Sequence, residues 1–144
     1  MATAERKDPY SAGHFMIEID GITRAGFQTC TGLDSQTTVV AYREGDEPGT
    51  TRKVPGLEAY SNITLKWGSS DDTDLWQWRQ KVVDGKIERK NLSVVLVDAT
   101  GTEKVRWNLT HAWPATWTGP SLDASGSAIA IEQLVIAHEG VKRA

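Results

Sequence analysis

His14-Phe15-Met16-Ile17-Glu18-Ile19-Asp20-Gly21 alternates apolar and polar side chains and then stops on a turn. Phe15, Ile17 and Ile19 fall on one side of an extended chain. His14, Met16, Glu18 and Asp20 fall on the other, the two-residue period of a strand with one buried face. Asp-Gly directly after such a run signals a type I′ hairpin, because both turn residues need positive φ. The same period returns in Ile63, Leu65 and Trp67 and again in Val105, Trp107 and Leu109, with Lys104, Arg106 and Asn108 pointing outward. Residues 92–98 are almost continuously apolar, as in a strand covered on both faces. Residues 27–31 and the β-branched stretch 37–44 read as two further strands.

One segment has a different period. In residues 72–84, Leu75, Trp76, Trp78, Val82 and Val83 fall on an arc of about 160° at the helical repeat, with Arg79 inside that arc as an anomaly. Ser69-Ser70-Asp71-Asp72 supplies N-cap oxygens, Asp72 and Asp74 suit the positive end of the helix dipole, and Gly85 marks the stop. Residues 111–120 contain Pro114, which predicts an edge or bent strand. In residues 128–138 the apolar phase changes between Ile131 and Leu134. A bulge near Glu132-Gln133 accounts for the change, and a helix also suits the composition. No internal repeat is visible. The pattern predicts a mainly β chain of two packed antiparallel β-sheets with one α-helix around residues 72–84.

Residues 1–13 read as an N-terminal arm and 14–144 as a single domain. That domain is interrupted by a long inter-strand loop at 45–61, which carries Gly45, Pro48, Gly49, Pro55 and Gly56 and has no usable periodicity. Loops of this length are uncommon in compact domains and usually functional. Val54, Leu57 and Tyr60 are apolar, and the loop offers nothing of its own to bury them. That pattern predicts a partner or a second copy of the chain as the cover, with Arg52 and Lys53 beside it.

The 144 residues fit one domain able to bury roughly 70% of its unfolded surface. Sixteen Lys and Arg against 19 Asp and Glu give a net charge of −3, which argues against a nucleic-acid binder held by counterion release. Charged residues interrupt every apolar stretch, so no membrane span is expected, and the N-terminal residues lack the apolar centre of a secretory signal. The single Cys30 forms no internal disulfide and reads as a small buried hydrophobe. His14, His111 and His138 are scattered, without the spacing of a helical metal site. No phosphate loop or nucleophile elbow occurs, and Gly126-Ser127 reads as a flexible turn. The carboxylate pairs Asp71-Asp72 and Asp46-Glu47 read as a helix cap and a solvated loop. No catalytic residue, cofactor site or metal site is assigned, so the chain is not read as an enzyme. Of the six Trp, positions 67, 76, 78 and 107 lie on inward faces. Trp113 and Trp117 flank Pro114 and suit either a glycan platform or a protein interface. Only Thr116 and Thr118 stand nearby to hydrogen-bond a sugar, which favours the interface. A monomeric binding module using those two tryptophans is the alternative reading.

The order of motifs resembles the tail tube proteins of contractile phage tails and extracellular contractile injection systems, which are related in fold to the type VI secretion tube protein. The match runs through Asp8-Pro9-Tyr10, the strand 14–21, Thr31-Gly32-Leu33, Arg52-Lys53-Val54-Pro55-Gly56 and Tyr60-Ser61-Asn62-Ile63-Thr64-Leu65-Lys66. It continues through Leu75-Trp76, Trp78, Arg89-Lys90-Asn91, Trp107, Ala112-Trp113-Pro114, Trp117-Thr118-Gly119-Pro120 and His138-Glu139-Gly140. It covers nearly the whole chain. The resemblance implies a barrel-like tail-tube fold and a structural role in an inner tube. Hexameric rings would stack there into a hollow tube that passes cargo or DNA when a sheath contracts. The implied partners are the chain itself, sheath protein, baseplate or spike hub, tube-terminating proteins and a lumenal cargo or DNA, with no membrane anchor. Assembly is implied in the cytoplasm of the producing bacterium. On this reading Arg52, Lys53, Val54, Pro55, Gly56, Leu57, Tyr60, Trp113 and Trp117 form the subunit and ring-stacking interface. Trp67 stands where the family pattern often has a basic residue, so no lumenal charge is assigned to that position.

Overall fold

A computed structural model describes residues 8–24, 26–45 and 49–144. The strands are Phe15–Ile19 (β1), Ile22–Arg24 (β2), Phe27–Thr31 (β3), Ser35–Tyr42 (β4), Arg52–Tyr60 (β5), Ile63–Gly68 (β6), Lys90–Val97 (β7), Glu103–Thr118 (β8), Ile131–Ala137 (β9) and Gly140–Arg143 (β10). Among the described residues there is one helix, α1, Asp74–Val83. Eight strands form one sheet in the order β2-β1-β7-β8-β9-β6-β3, with β10 added on β8, while β4 and β5 pair only with each other. Every pairing is antiparallel. The mainly β, antiparallel, two-sheet architecture with one helix is thus as expected. No closed barrel forms among the described strands, because the path ends on β2 and β3 without joining them.

The large sheet turns over on itself through β8, a strand of 16 residues. Its first part lies between β7 and β10, and its last part pairs with β9. Leu109 faces Leu92 but Ala112 faces Lys90, so β8 carries one residue more than β7 at that point. His111 sits in this bulge at φ 53°, and such a bulge bends and twists the strand that carries it. A second irregularity lies between Pro114 and Thr116. Pro114 therefore marks both of the expected features, a bend and an edge. Beyond the bend its strand pairs with β9 alone among the described strands.

The bend brings two apolar faces together. Ile17 of β1, Leu92 of β7 and Leu109 of β8 share one buried cluster with Ile63 and Leu65 of β6 and Leu134 and Ile136 of β9. Each is essentially inaccessible to solvent, and burying a side chain of this size contributes about 1.5–3 kcal/mol. The hairpin after β1 has the predicted chemistry: Asp20 has φ 51° and Gly21 has φ 79°. On the outer side Arg106 donates to both carboxylate oxygens of Glu18 and also to Glu103, cross-bracing β1 and β8.

Four expectations change. Residues 45–61 are not a loop throughout, since β5 occupies Arg52–Tyr60 and forms a hairpin with β4. Its Pro and Gly hide the strand because Pro55 and Gly56 sit beside the register shift between Thr37 and Val39. The helix starts at Asp74 rather than 72, and its N-cap Thr73 makes no side-chain cap bond. Asp72 instead accepts the Asp74 N–H at 3.0 Å, and Arg24 joins Asp72 and Asp74 at 3.2 and 2.6 Å, tying β2 to the helix start. Trp76 and Val83 are exposed on α1, whereas Trp78 is buried and donates its indole N–H to the Glu88 carbonyl at 2.8 Å. The Arg79 anomaly has a simple cause, since its guanidinium reaches the Pro114 carbonyl on β8. Finally, residues 131–137 are a strand in unbroken register with β6, so neither the bulge at Glu132-Gln133 nor a helix is present. Glu132 lies in phase with Leu134 and accepts the Trp67 indole N–H at 3.1 Å, so a carboxylate occupies the inward position that masked the alternation. Residues 1–7 of the expected N-terminal arm and the Asp46-Glu47 pair lie outside the described residues.

Candidate assembly surface

The β4–β5 hairpin has no partner layer among the described residues. Val39, Val40, Tyr42, Val54 and Leu57 are all exposed, Leu57 to 83%. Both strands carry β-branched or apolar residues without a protected face, whereas a strand that packs on its own domain hides alternate residues. A two-stranded hairpin is marginal by itself in water. Exposed apolar groups clustered on such an arm mark an interaction surface. Local bonds help it hold its shape: Thr37 donates its hydroxyl to the Glu58 carboxylate across the pair, at 2.8 Å.

The root of the arm is tightly built. Gly32 has φ 103°, and a Cβ placed on it would stand 2.1 Å from the Asn62 carbonyl oxygen. The Ser61 N–H donates to the Asp34 carbonyl, and the Tyr60 ring leans on His138 with centroids 5.9 Å apart. The chain therefore enters and leaves the arm at one clamped point, while everything beyond it projects.

The structure divides the sequence-derived interface residues into two groups. Arg52, Lys53, Val54, Pro55, Gly56 and Leu57 lie together along β5, with Tyr60 at its root. Trp113 and Trp117 lie elsewhere, on β8, and both are partly buried. Trp117 belongs to an aromatic pile: Phe27, Trp67, Trp117 and Trp76 meet edge to face in succession, at 5.7, 5.3 and 5.1 Å. Trp117 is thus engaged by Trp67 and Trp76, whereas Trp113 is not part of that pile. Sequence reasoning missed Val39, Val40 and Tyr42. The available signal was a β-branched strand apolar on both faces with no polar face to turn outward.

Among the described residues, no group of three or more His, Cys, Asp or Glu side chains is arranged to hold a metal ion. Asp98 accepts the Thr100 hydroxyl and the Thr100 and Thr102 N–H groups, which holds its carboxyl down at about 2. Its place is a turn between β7 and β8. Cys30 lines an apolar groove with Phe15, Leu33, Leu96 and Trp107, and burial raises its thiol to about 11. The thiolate is the reactive form, so a thiol reagent at pH 8 is expected to label Cys30 roughly 100-fold more slowly than the unfolded chain. Comparing labelling rates with and without denaturant checks this, and equal rates would contradict the buried position.

The family model for the T4-like virus tail tube protein gp19 matches residues 11–142. A search of curated proteins finds no match. Among solved structures, a chain of the anti-feeding prophage tube terminating cap is similar with a TM-score of 0.89 at 26% identity, covering 99% of this chain and 95% of that one. A chain of the extended sheath-tube complex of PVC, an extracellular contractile injection system, gives a TM-score of 0.85 at 28% identity, covering 94% and 91%. Hcp1 from Flavobacterium johnsoniae, at 15% identity and a TM-score of 0.54, covers 90% and 93% and shares the fold alone.

Proposed function

Since the chain belongs to the T4-like virus tail tube protein family, we propose that it forms rings of six that stack into a hollow tube, each ring gripping the next through the β4–β5 arm. The chain is a tube subunit of a contractile injection system. The observation that carries the stacking role is the arm itself, two paired strands with Leu57, Val54 and Val39 in solvent and no partner layer among the described residues. An apolar hairpin of this kind is marginal in water by itself, and covering its exposed side chains stabilises it. In a homopolymer the cover is another copy of the same chain, and a head-to-tail contact repeats into a tube.

Arg52, Lys53, Val54, Pro55, Gly56 and Leu57 supply the stacking surface, and Tyr60 fixes its root. Trp113 contributes a lateral contact, while Trp117 serves the packing of the body. The free edges of the large sheet suit pairing with neighbouring subunits around a ring, which removes the hazard of an open edge. The related structures come from tube, sheath and cap assemblies. The partners proposed for this chain are accordingly sheath, baseplate and terminator proteins, with cargo or DNA in the lumen. The role is structural and requires no catalysis. Assembly takes place in the cytoplasm of the producing bacterium. No helix of the described residues is long and apolar enough to cross a membrane.

Negative-stain electron microscopy over a range of concentrations, with scattering mass measured in parallel, tests the reading. Six-membered rings or hollow tubes are expected, either from the protein alone or after adding sheath and baseplate components. A monomer under every one of those conditions would overturn it.

A further inference from the structure

The His138-Glu139-Gly140 turn joins β9 to β10 and lies against the root of the arm. His138 Nε2 stands 2.8 Å from the Ser61 carbonyl oxygen. A carbonyl only accepts, so Nε2 carries the proton and donates it. Nδ1 is buried and has no partner among the described residues, so the ring has one polar attachment there, and it is to the arm root. The Tyr60 ring leans on the imidazole at 49°, and it also approaches Gly140, where an added Cβ would meet the ring at 4.0 Å. The turn is itself anchored to β8, because the Glu139 N–H donates to the Thr110 carbonyl at 3.0 Å. Thr110 adjoins His111, the bulge where β8 bends. One short turn thus touches the arm root on one side and the bend of the body on the other.

We propose that this turn is the seat of the arm, and that His138 is a positioning residue which holds the arm at the angle its neighbour must receive. The proposal rests on the stacking role assigned to the arm. The physical reason for a seat is leverage. β4 and β5 pair only with each other, so the direction of the whole arm is set within the few residues that join it to the body. The Ser61–Asp34 hydrogen bond holds the two chains of the root to each other; beyond the β6–β9 ladder that begins at Ile63, the Tyr60–His138 contact and the His138–Ser61 hydrogen bond tie the root to the β9–β10 turn. Loss of the imidazole donor leaves the hairpin paired and lets its base swing. A swinging arm meets its receiving surface less often in the correct geometry, and ordering it on contact costs free energy.

The test uses His138→Leu, which fills similar space without a donor, and His138→Gln, whose amide N–H reaches the same carbonyl. Amide hydrogen exchange of residues 32–62 in dilute, unassembled protein reads the seat directly, and a pelleting assay reads tube formation. In His138→Leu, exchange at Ser61 and along the arm root is expected to rise about tenfold, as for the loss of one hydrogen bond. Tube yield should fall with it, while the β6 and β7 amides keep wild-type protection. His138→Gln should restore both readouts. Unchanged exchange in His138→Leu, or a Gln variant that behaves like Leu, would overturn the seat. Faster exchange with normal tube yield would overturn its part in assembly. If the wild-type protein itself formed no tubes with its partners, the stacking role would fall, while hydrogen exchange would still decide whether the turn seats the arm.

Discussion

With residues 38–57 replaced by Asn-Gly, the protein is expected to stay folded and to form no tubes. Thr37 and Glu58 are cross-strand partners, so a two-residue type I′ turn closes the shortened hairpin without altering the register below it. The removed segment takes almost nothing from the core, since every residue of the cluster formed by β1, β6, β7, β8 and β9 remains. Its melting temperature should therefore stay within a few degrees of wild type. Tube formation should vanish from electron micrographs and pelleting assays at concentrations that assemble the parent chain. A single substitution grades the effect. Leu57 is 83% exposed in the free subunit, and burying a leucine against a neighbour is worth about 2 kcal/mol. Leu57→Ala should raise the concentration needed for assembly roughly thirtyfold. Normal tubes from the shortened chain would remove the arm from the stacking role.

Gly32→Ala is expected to be the most damaging single change at the arm root. The residue has φ 103°, a conformation an L side chain resists, and its Cβ would stand 2.1 Å from the Asn62 carbonyl oxygen. The obstacle is backbone, leading directly into Ile63, which is fully buried at the start of β6. Neither side yields without moving the core or opening the arm. A cost of about 3 kcal/mol or more is expected, lowering the melting temperature by roughly 10 °C. Gly21→Ala is the matched control, because φ is 79° there but no atom lies within 4 Å of the added Cβ. That change carries only the torsional penalty, about 1 kcal/mol. Equal destabilisation of the two variants in urea would contradict the steric account.

Gly32 also shows how far a motif can be read before a fold exists. Thr31-Gly32-Leu33 stands out in the sequence as part of a recurring pattern. Nothing local to it shows that Asn62, thirty positions on, comes to rest against it. Two candidate residues tell the same story in opposite directions. Leu57 was legible as an apolar side chain in need of cover, because its neighbours offered none. Trp117 looked equally available, yet Trp67 and Trp76 enclose it from β6 and α1, far away along the chain. The strand that holds Leu57 was harder to read than the residue. Proline and glycine suppress strand signals, and Pro55 and Gly56 are tolerated because β5 lies at an edge beside an irregular step in the pairing.

By itself the sequence determined the short-range structure. Alternation at positions 15–19, 63–67 and 105–109 set three strands and their buried faces. Asp20-Gly21 set a hairpin, and the helical period after residue 74 set α1, because these signals depend on neighbours a few residues apart. The order of motifs along the chain also identified the kind of machine to which it belongs. Tertiary structure alone decided that β8 bends at His111 so that one sheet encloses a single core. It also decided that Glu132 faces inward to meet Trp67, that Arg79 leaves its helix for the Pro114 carbonyl, and that β4 and β5 stand away from the body on a root held by Gly32, Tyr60 and His138. Each of these depends on contacts between residues distant in sequence, whose geometry exists only once the chain has closed around its core.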